Sequence, residues 1–298
     1  MERSLKNAPA TISQTFYEDG NPTDPGTVTV TVTRADGTPV VNAAPTTGSG
    51  AAARSFVLSA ANASLLDSLT FAWASPTKGT LYSLVEIVGD FQFALTEIGS
   101  DPEVLELPSA SRTPAKLAEA RTIAEQAFEE AASRRLTYGI AYVPRYHYGK
   151  LSGAGGPVLS LPRRPVRAIR SVAQALTPGA AATVLGTSGL AVTDDGIYRP
   201  SYWTAGPKNY TIGYEYGLDR PSERVKRAVL TLAKNWLIEG PITDRATSIP
   251  AGDAGGVITL ATPGLRDSEF GIPEVDAALP PQASAIYSVP LAPAHNVW

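Results

Sequence analysis

The sequence has no cysteine, which excludes disulfides, thiolate metal sites, iron–sulfur clusters and a cysteine nucleophile. Histidine is nearly absent as well. His147 and His295 are too few for a histidine-rich metal site within one chain, and neither stands in a fragment that would make it a general base. No apolar run approaches the roughly 20 residues that a membrane-spanning helix needs. The charges of Met1–Asn7 have no apolar segment behind them, so no secretory signal is expected, and production and assembly in the cytoplasm are. A phosphate-binding loop is also missing: Gly153-Ala-Gly-Gly156 runs into Pro157 and a strand, not into a helix N-terminus. Leu185-Gly-Thr-Ser-Gly189 lacks the spacing of a nucleophile elbow. The acid pairs Asp194-Asp195 and Glu129-Glu130 read as turn chemistry and a solvated helix face. No catalytic residue, metal site or cofactor is expected.

What is abundant is glycine and proline, 26 and 25 residues, more than a helical bundle or a doubly wound α/β enzyme needs. Thr27–Thr33 alternates strictly, with Val28, Val30 and Val32 on one face, and Asp36-Gly37 follows as a hairpin turn. Further strands are expected at Thr11–Tyr17, Ser55–Ser59, Leu69–Ala74, Leu81–Val88 and Phe91–Thr96. Six or seven short strands with turns between them predict an immunoglobulin-like β-sandwich over residues 1–98, with Phe71 and Trp73 as core aromatics.

The period then changes. Thr113 can cap a helix over 114–135, with Pro114 at its first position. Its apolar stripe is Leu117, Ala120, Ala124, Phe128 and Ala131, and Lys116, Glu119, Gln126, Glu129 and Glu130 fall mostly on the other side. A β segment follows, with strands expected at Tyr138–Arg145, Val158–Leu161, Val166–Val172, Leu190–Thr193, Ile197–Arg199 and Tyr210–Tyr216. A second helix opens at Pro221 with the stripe Val225, Ala228, Val229, Leu232 and Trp236, and ends at Gly240-Pro241. The last 58 residues hold eight prolines and scattered apolar side chains, which reads as an arm laid on another surface. Ile272, Val275, Leu279, Tyr287 and Trp298 are its candidate docking residues.

Charge is segregated. Residues 1–100 and 241–298 each carry a net −4, and the 101–240 segment between them carries +5, a pattern that suits contacts between copies or layers of an assembly. Within the middle segment Arg163, Arg164, Arg167 and Arg170 cluster around Pro165. They could meet an acidic protein surface, solvent or DNA phosphates, and protein contacts are the first reading because no stacking aromatics interleave with them. Lys226 and Arg227 allow the same argument.

The order of segments from the first helix onward resembles the head-to-tail connector (adaptor) family of long-tailed double-stranded DNA phages. The carrying residues are Leu117-Ala-Glu-Ala-Arg121, Tyr142-Val-Pro-Arg145, Val158-Leu-Ser-Leu161, Val166-Arg-Ala-Ile-Arg-Ser-Val172, Tyr210-Thr-Ile-Gly-Tyr-Glu-Tyr-Gly217 and Pro221-Ser-Glu-Arg-Val-Lys-Arg-Ala228. Asp244–Ser248 and Phe270–Asp276 look like actinobacteriophage connectors in particular. The resemblance implies an α+β fold: the sandwich, a connector core of few helices and a β segment at 99–240, and an extended C-terminal arm at 241–298. It implies a virion protein of the neck, a homo-oligomeric ring, in this family usually of twelve subunits, through which DNA passes. Its partners would be the portal protein and the next neck or tail protein (stopper or tail terminator), with a capsid contact open to the N-terminal domain. A competing reading is a phage or cell-surface binding module whose sandwich takes carbohydrate or a receptor. A hydrolase lacks both metal ligands and a nucleophile with a base.

Overall fold

Valine on one face and threonine on the other is what a half-buried strand requires, and in the computed structural model Thr29–Thr33 sits near the middle of a five-stranded sheet. The structure describes residues 2–48, 51–175, 180–194, 196–239, 248–251, 256–259 and 269–282. Its first strands are β1 (Glu2–Leu5), β2 (Ala10–Thr15), β3 (Thr29–Thr33), β4 (Pro39–Pro45), β5 (Ala53–Leu58), β6 (Asp67–Ser75) and β7 (Gly79–Val88). The sheet order is β1-β7-β6-β3-β4, parallel only between β1 and β7, and β2 pairs with β5 separately. The hairpin β3–β4 turns at Asp36-Gly37, where Gly37 takes a φ of +87° and the Asp36 carboxylate accepts the Thr38 N–H at 2.8 Å. Ile12, Phe16 and Leu58 from the β2–β5 side close over Val30, Val32, Leu69, Phe71, Trp73, Val85 and Ile87. Phe71 and Trp73 are fully buried and stacked, and the Trp73 indole N–H donates to the Ser83 hydroxyl at 2.9 Å.

Two expected strands are not strands. Phe91–Thr96 is a loop entering helix α1 (Leu95–Gly99), because its apolar and amide side chains have partners on the helices that an extended ladder would forbid. Phe91 lies against Arg121, Phe93 enters the helical core, and the Glu97 carboxylate folds back onto the Ala94 N–H at 2.8 Å. Tyr138–Arg145 is paired at Gly139–Ile140 and again at Arg145, where the next strand begins, and is irregular between them. Thr137 ends the preceding helix in the left-handed region, and Ala141–Pro144 is spent on loop contacts, among them the Gly89 N–H on the Pro144 carbonyl.

After the short helix α2 (Pro102–Leu105), helix α3 (Pro114–Leu136) starts where Thr113 caps it: its hydroxyl accepts the Lys116 N–H at 3.4 Å. The predicted stripe is buried and packs on helix α4 (Glu223–Glu239) through Val225, Ala228, Val229 and Leu232. The short helix α5 (Pro273–Ala278) completes this core. Between α3 and α4 lies a four-stranded sheet of β8 (Arg145–Gly153), β9 (Val166–Gln174), β10 (Thr183–Leu185) and β11 (Gly206–Tyr216), in the order β8-β11-β9-β10. A small sheet of Val158–Ser160, Gly196–Tyr198 and Ala191–Thr193 stands beside it. Tyr210, Ile212, Tyr214 and Tyr216 share one buried face of β11, and Trp203 meets Tyr210 edge-on. The fold is mixed α+β, mostly strands with few helices.

Candidate assembly surfaces and a buried charge cluster

The four clustered arginines lie on a short strand, Arg163–Arg164, and on β9, and each is held by its own chain. The Arg163 backbone N–H donates to the Tyr214 hydroxyl at 3.1 Å, and its guanidinium lies 5.5 Å from the Tyr216 ring. Arg164 donates to the Leu161 carbonyl and the Ser160 hydroxyl and covers Tyr138. Arg167 pairs with Asp219 at 2.6 Å. Arg170 bonds Glu215 at 2.5 Å, stacks over Tyr146, and reaches the Leu66 carbonyl at 2.6 Å. The expectation that no aromatics accompany these arginines is therefore corrected. Tyrosines do, but they come from neighbouring strands and from Tyr138, where sequence adjacency cannot show them. Lys226 is paired with Glu97 at 2.5 Å, and Arg227 is exposed on α4.

These environments predict different responses. Arg167→Ala removes a surface pair and should change stability by less than about 1 kcal/mol. Arg170→Ala removes charged hydrogen bonds that tie β9 to β11 and to the segment before β6, and should cost about 1.5–3 kcal/mol in urea denaturation. Equal effects would show that the Arg170 contacts carry no stability.

The arm divides. Val275 and Leu279 are buried in the helical core of their own chain and Ile272 packs against it, so these three side chains are not a free docking edge. The correction has a plain cause: α5 offers an apolar face to α4, and Arg134 pairs with Glu269 at 3.0 Å to hold the approach. Tyr287 and Trp298 lie outside the described residues.

Sequence reasoning missed a cluster of buried charge. Arg121, Glu125 and Glu129 are four residues apart, so they form a second stripe on α3 beside the apolar one. Glu129, expected on the solvated side, is buried, and Glu125 is 0% exposed. Arg3 on β1 donates to Glu125 at 2.5 Å and Glu129 at 3.1 Å. Arg145, at the start of β8, donates to Glu129 at 2.6 Å and to Glu86 of β7 at 2.9 Å. Gln92 satisfies both helix carboxylates, its backbone N–H on Glu125 at 2.7 Å and its amide on Glu129 at 2.9 Å. Burial raises the Glu125 carboxyl above its ordinary range, against the opposing pull of Arg3. Burial works against the Arg145 charge too, but Glu129 and Glu86 outweigh it and lift its pKa. The one signal in the sequence was the four-residue spacing of Arg121, Glu125 and Glu129.

His147 is inside β8, not past its strand, with its ring 5.4 Å from that of Tyr214. Burial, and then the Arg163 charge, pushes its pKa down to about 4. The imidazole is neutral in the fold, while the unfolded chain takes up a proton near its ordinary 6.5. That stability is present above pH 6.5 and is lost as pH falls toward 4. After allowance for solvent screening the loss is on the order of 1 kcal/mol. Denaturation curves from pH 7 to 4.5 should show this fall, and His147→Gln should flatten it; an unchanged pH slope in the variant would contradict the assignment.

Among the described residues no three His, Asp or Glu side chains group to hold a metal ion, and no helix is long and apolar enough to cross a membrane. No protein-family model and no curated protein matches the chain at a significant level. Among solved structures, it is similar to a chain in the neck of an empty gene transfer agent particle, computed with C6 symmetry. The identity is 16% and the TM-score 0.37, over 53% of this chain and 83% of that one. A chain in the virion of the native gene transfer agent particle is similar at 16% identity and a TM-score of 0.34, over 53% and 84%.

Proposed function

We propose that this chain is a non-enzymatic structural subunit of a phage neck. Copies of it form an adaptor ring, twelve by family precedent, between the portal vertex and the tail, and DNA passes through the ring. The observation that carries this reading is the order of connector-like segments along residues 117–276. Leu117–Arg121 falls on α3, Tyr142–Arg145 at the entry to β8, Val166–Val172 on β9, Tyr210–Gly217 on β11 and its end, and Pro221–Ala228 on the entry to α4. The segment charges of −4, +5 and −4 suit subunits that pack side by side and layer on layer.

Three further parts belong to the reading. The division into 1–98, 99–240 and 241–298 belongs to the proposal, with Phe93, α1 and α5 packed into the core of the middle unit and the portal-docking contacts assigned to the residues beyond Pro280, including Tyr287 and Trp298. Residues 1–98 are an immunoglobulin-like sandwich, which the order β1-β7-β6-β3-β4 facing β2-β5 supports. Arg227 is exposed, and Arg163 and Arg167 stay at the surface beside their own-chain partners Tyr216 and Asp219. These three are the cations assigned to a neighbouring subunit, the stopper protein or the DNA, because Arg170 and Lys226 are committed within the chain.

Native mass spectrometry of the purified protein, alone and with its cognate portal, tests the proposal. A closed oligomer, or a stoichiometric complex with the portal ring, is expected. A monomer at all concentrations that ignores the portal would sink it.

A further inference from the structure

Arg121 is a buried cation that the fold leaves without a counter-ion. It is 7% exposed on α3, and among the described residues no carboxylate is paired with it. One of its Nη atoms donates to the Phe93 carbonyl at 3.4 Å, and its Nε has no acceptor. The acids nearby are engaged elsewhere: Glu125 accepts from Arg3 and from the Gln92 N–H, and Asp90 accepts the Phe91 N–H at 2.8 Å. Burial pushes the Arg121 pKa down to about 10, against the opposing pull of Glu125. A guanidinium buried for stability alone needs a carboxylate, and Arg3 and Arg145 each have more than one. Arg121 has none from its own chain.

The same side chain lines a cleft of about 800 Å³ between the loop after β7, α1 and the start of α4. The Phe91 ring covers one face of the guanidinium, 3.3 Å from centroid to Cζ. A guanidinium donates in its own plane, and a carboxylate is the planar acceptor that matches that edge. Leu5, Phe91 and Leu95 give the cleft an apolar wall, and exposed Arg220 stands at its rim as a second cation. Lys226 and Glu97, also in the lining, are closed on each other at 2.5 Å. Asp90 and Glu223 remain, and their charge disfavours a phosphate dianion more than a single carboxylate. We infer that this cleft binds a carboxylate carried on an apolar body, with Arg121 and Arg220 as its cations. The inference stands on the cleft alone and does not depend on the neck reading.

The test is calorimetric titration of the full chain with phenylacetate, which carries one carboxylate on an apolar ring, and with phenylacetamide, its neutral counterpart. The acid should bind saturably and the amide should not. Arg121→Met should weaken the acid at least about tenfold, the loss of charged hydrogen bonds to one carboxylate. Arg220→Gln, at the exposed rim, should weaken it by less, and Lys116→Gln, exposed elsewhere on α3, should leave it unchanged. The urea midpoint of Arg121→Met should be unchanged or raised, because the charge removed has no counter-ion among the described residues of its own chain. Run on the associated and on the dissociated chain, the titration separates two sources of the carboxylate. Equal binding in both marks a free ligand, and binding confined to the dissociated chain marks an acidic side chain of a neighbouring copy. No saturable binding in either state, equal binding of the amide, binding indifferent to Arg121→Met, or binding of an oligonucleotide in place of the acid overturns the inference. A lowered midpoint in Arg121→Met overturns it too and assigns the arginine to the fold.

Discussion

Glu129→Ala should destabilise the folded chain by about 3–5 kcal/mol, the cost of leaving buried charge without its partner. Glu129 accepts from Arg3, Arg145 and Gln92, and its loss leaves two buried guanidinium groups facing each other. Arg145 keeps Glu86, and Arg3 keeps Glu125, so the fold should survive as a weakened state. Urea denaturation gives the magnitude. A double-mutant cycle with Arg145→Ala should show the pair costing less than the two single changes together, by about 0.5–3 kcal/mol. Glu125→Gln is the milder variant: burial already disfavours its charge, so its ionisation subtracts stability as pH rises through its raised pKa. A loss for Glu129→Ala below about 1 kcal/mol would mean that water reaches the cluster. Because its members come from β1, β7, α3 and β8, hydrogen exchange in Glu129→Ala should rise at β1 and at Gln92 together.

Phe128→Ala should cost a similar amount, about 3–5 kcal/mol, for a different reason. Phe128 is fully buried on α3, 5.5 Å from the ring of Tyr142 and 6.4 Å from that of Phe270, which lies parallel to it. Truncation opens a cavity between α3, the loop before β8 and the segment leading to α5. Phe128→Leu refills most of it and should cost less than half as much. In the alanine variant, protection of Val275–Leu279 against hydrogen exchange should fall further than that of β11, since α5 shares this core and β11 does not. Equal loss in both would show that Phe128 does not hold the tail segment.

The alternating face of β3, the α3 and α4 stripes and the tyrosine face of β11 could be read from the sequence because each is a local period. A side chain that repeats every second, third or fourth residue announces what it packs against. Phe91–Thr96 could not be read this way. Its composition suits a strand, and only the distant Arg121, Glu125 and Glu129 decide otherwise. The arginine cluster was visible as charge but not as partners, since Tyr138, Tyr146 and Tyr216 arrive from other parts of the chain. The buried cluster was hidden most deeply. Arg3 and Glu125 are 122 residues apart, and polarity alone places glutamate on the wet side of a helix. The same limit applies to the arm, where apolar side chains could serve a partner or the chain's own core. Val275 and Leu279 proved to serve the latter.

Imaging of intact virion necks, with this chain's density located and the ring symmetry counted, tests the central proposal most directly. A closed ring of the chain directly beneath the portal is expected, with α3 and α4 toward the axis and the N-terminal sheet toward the outside. Density for the chain on the capsid surface or the tail tip, with no ring at the neck, would contradict it.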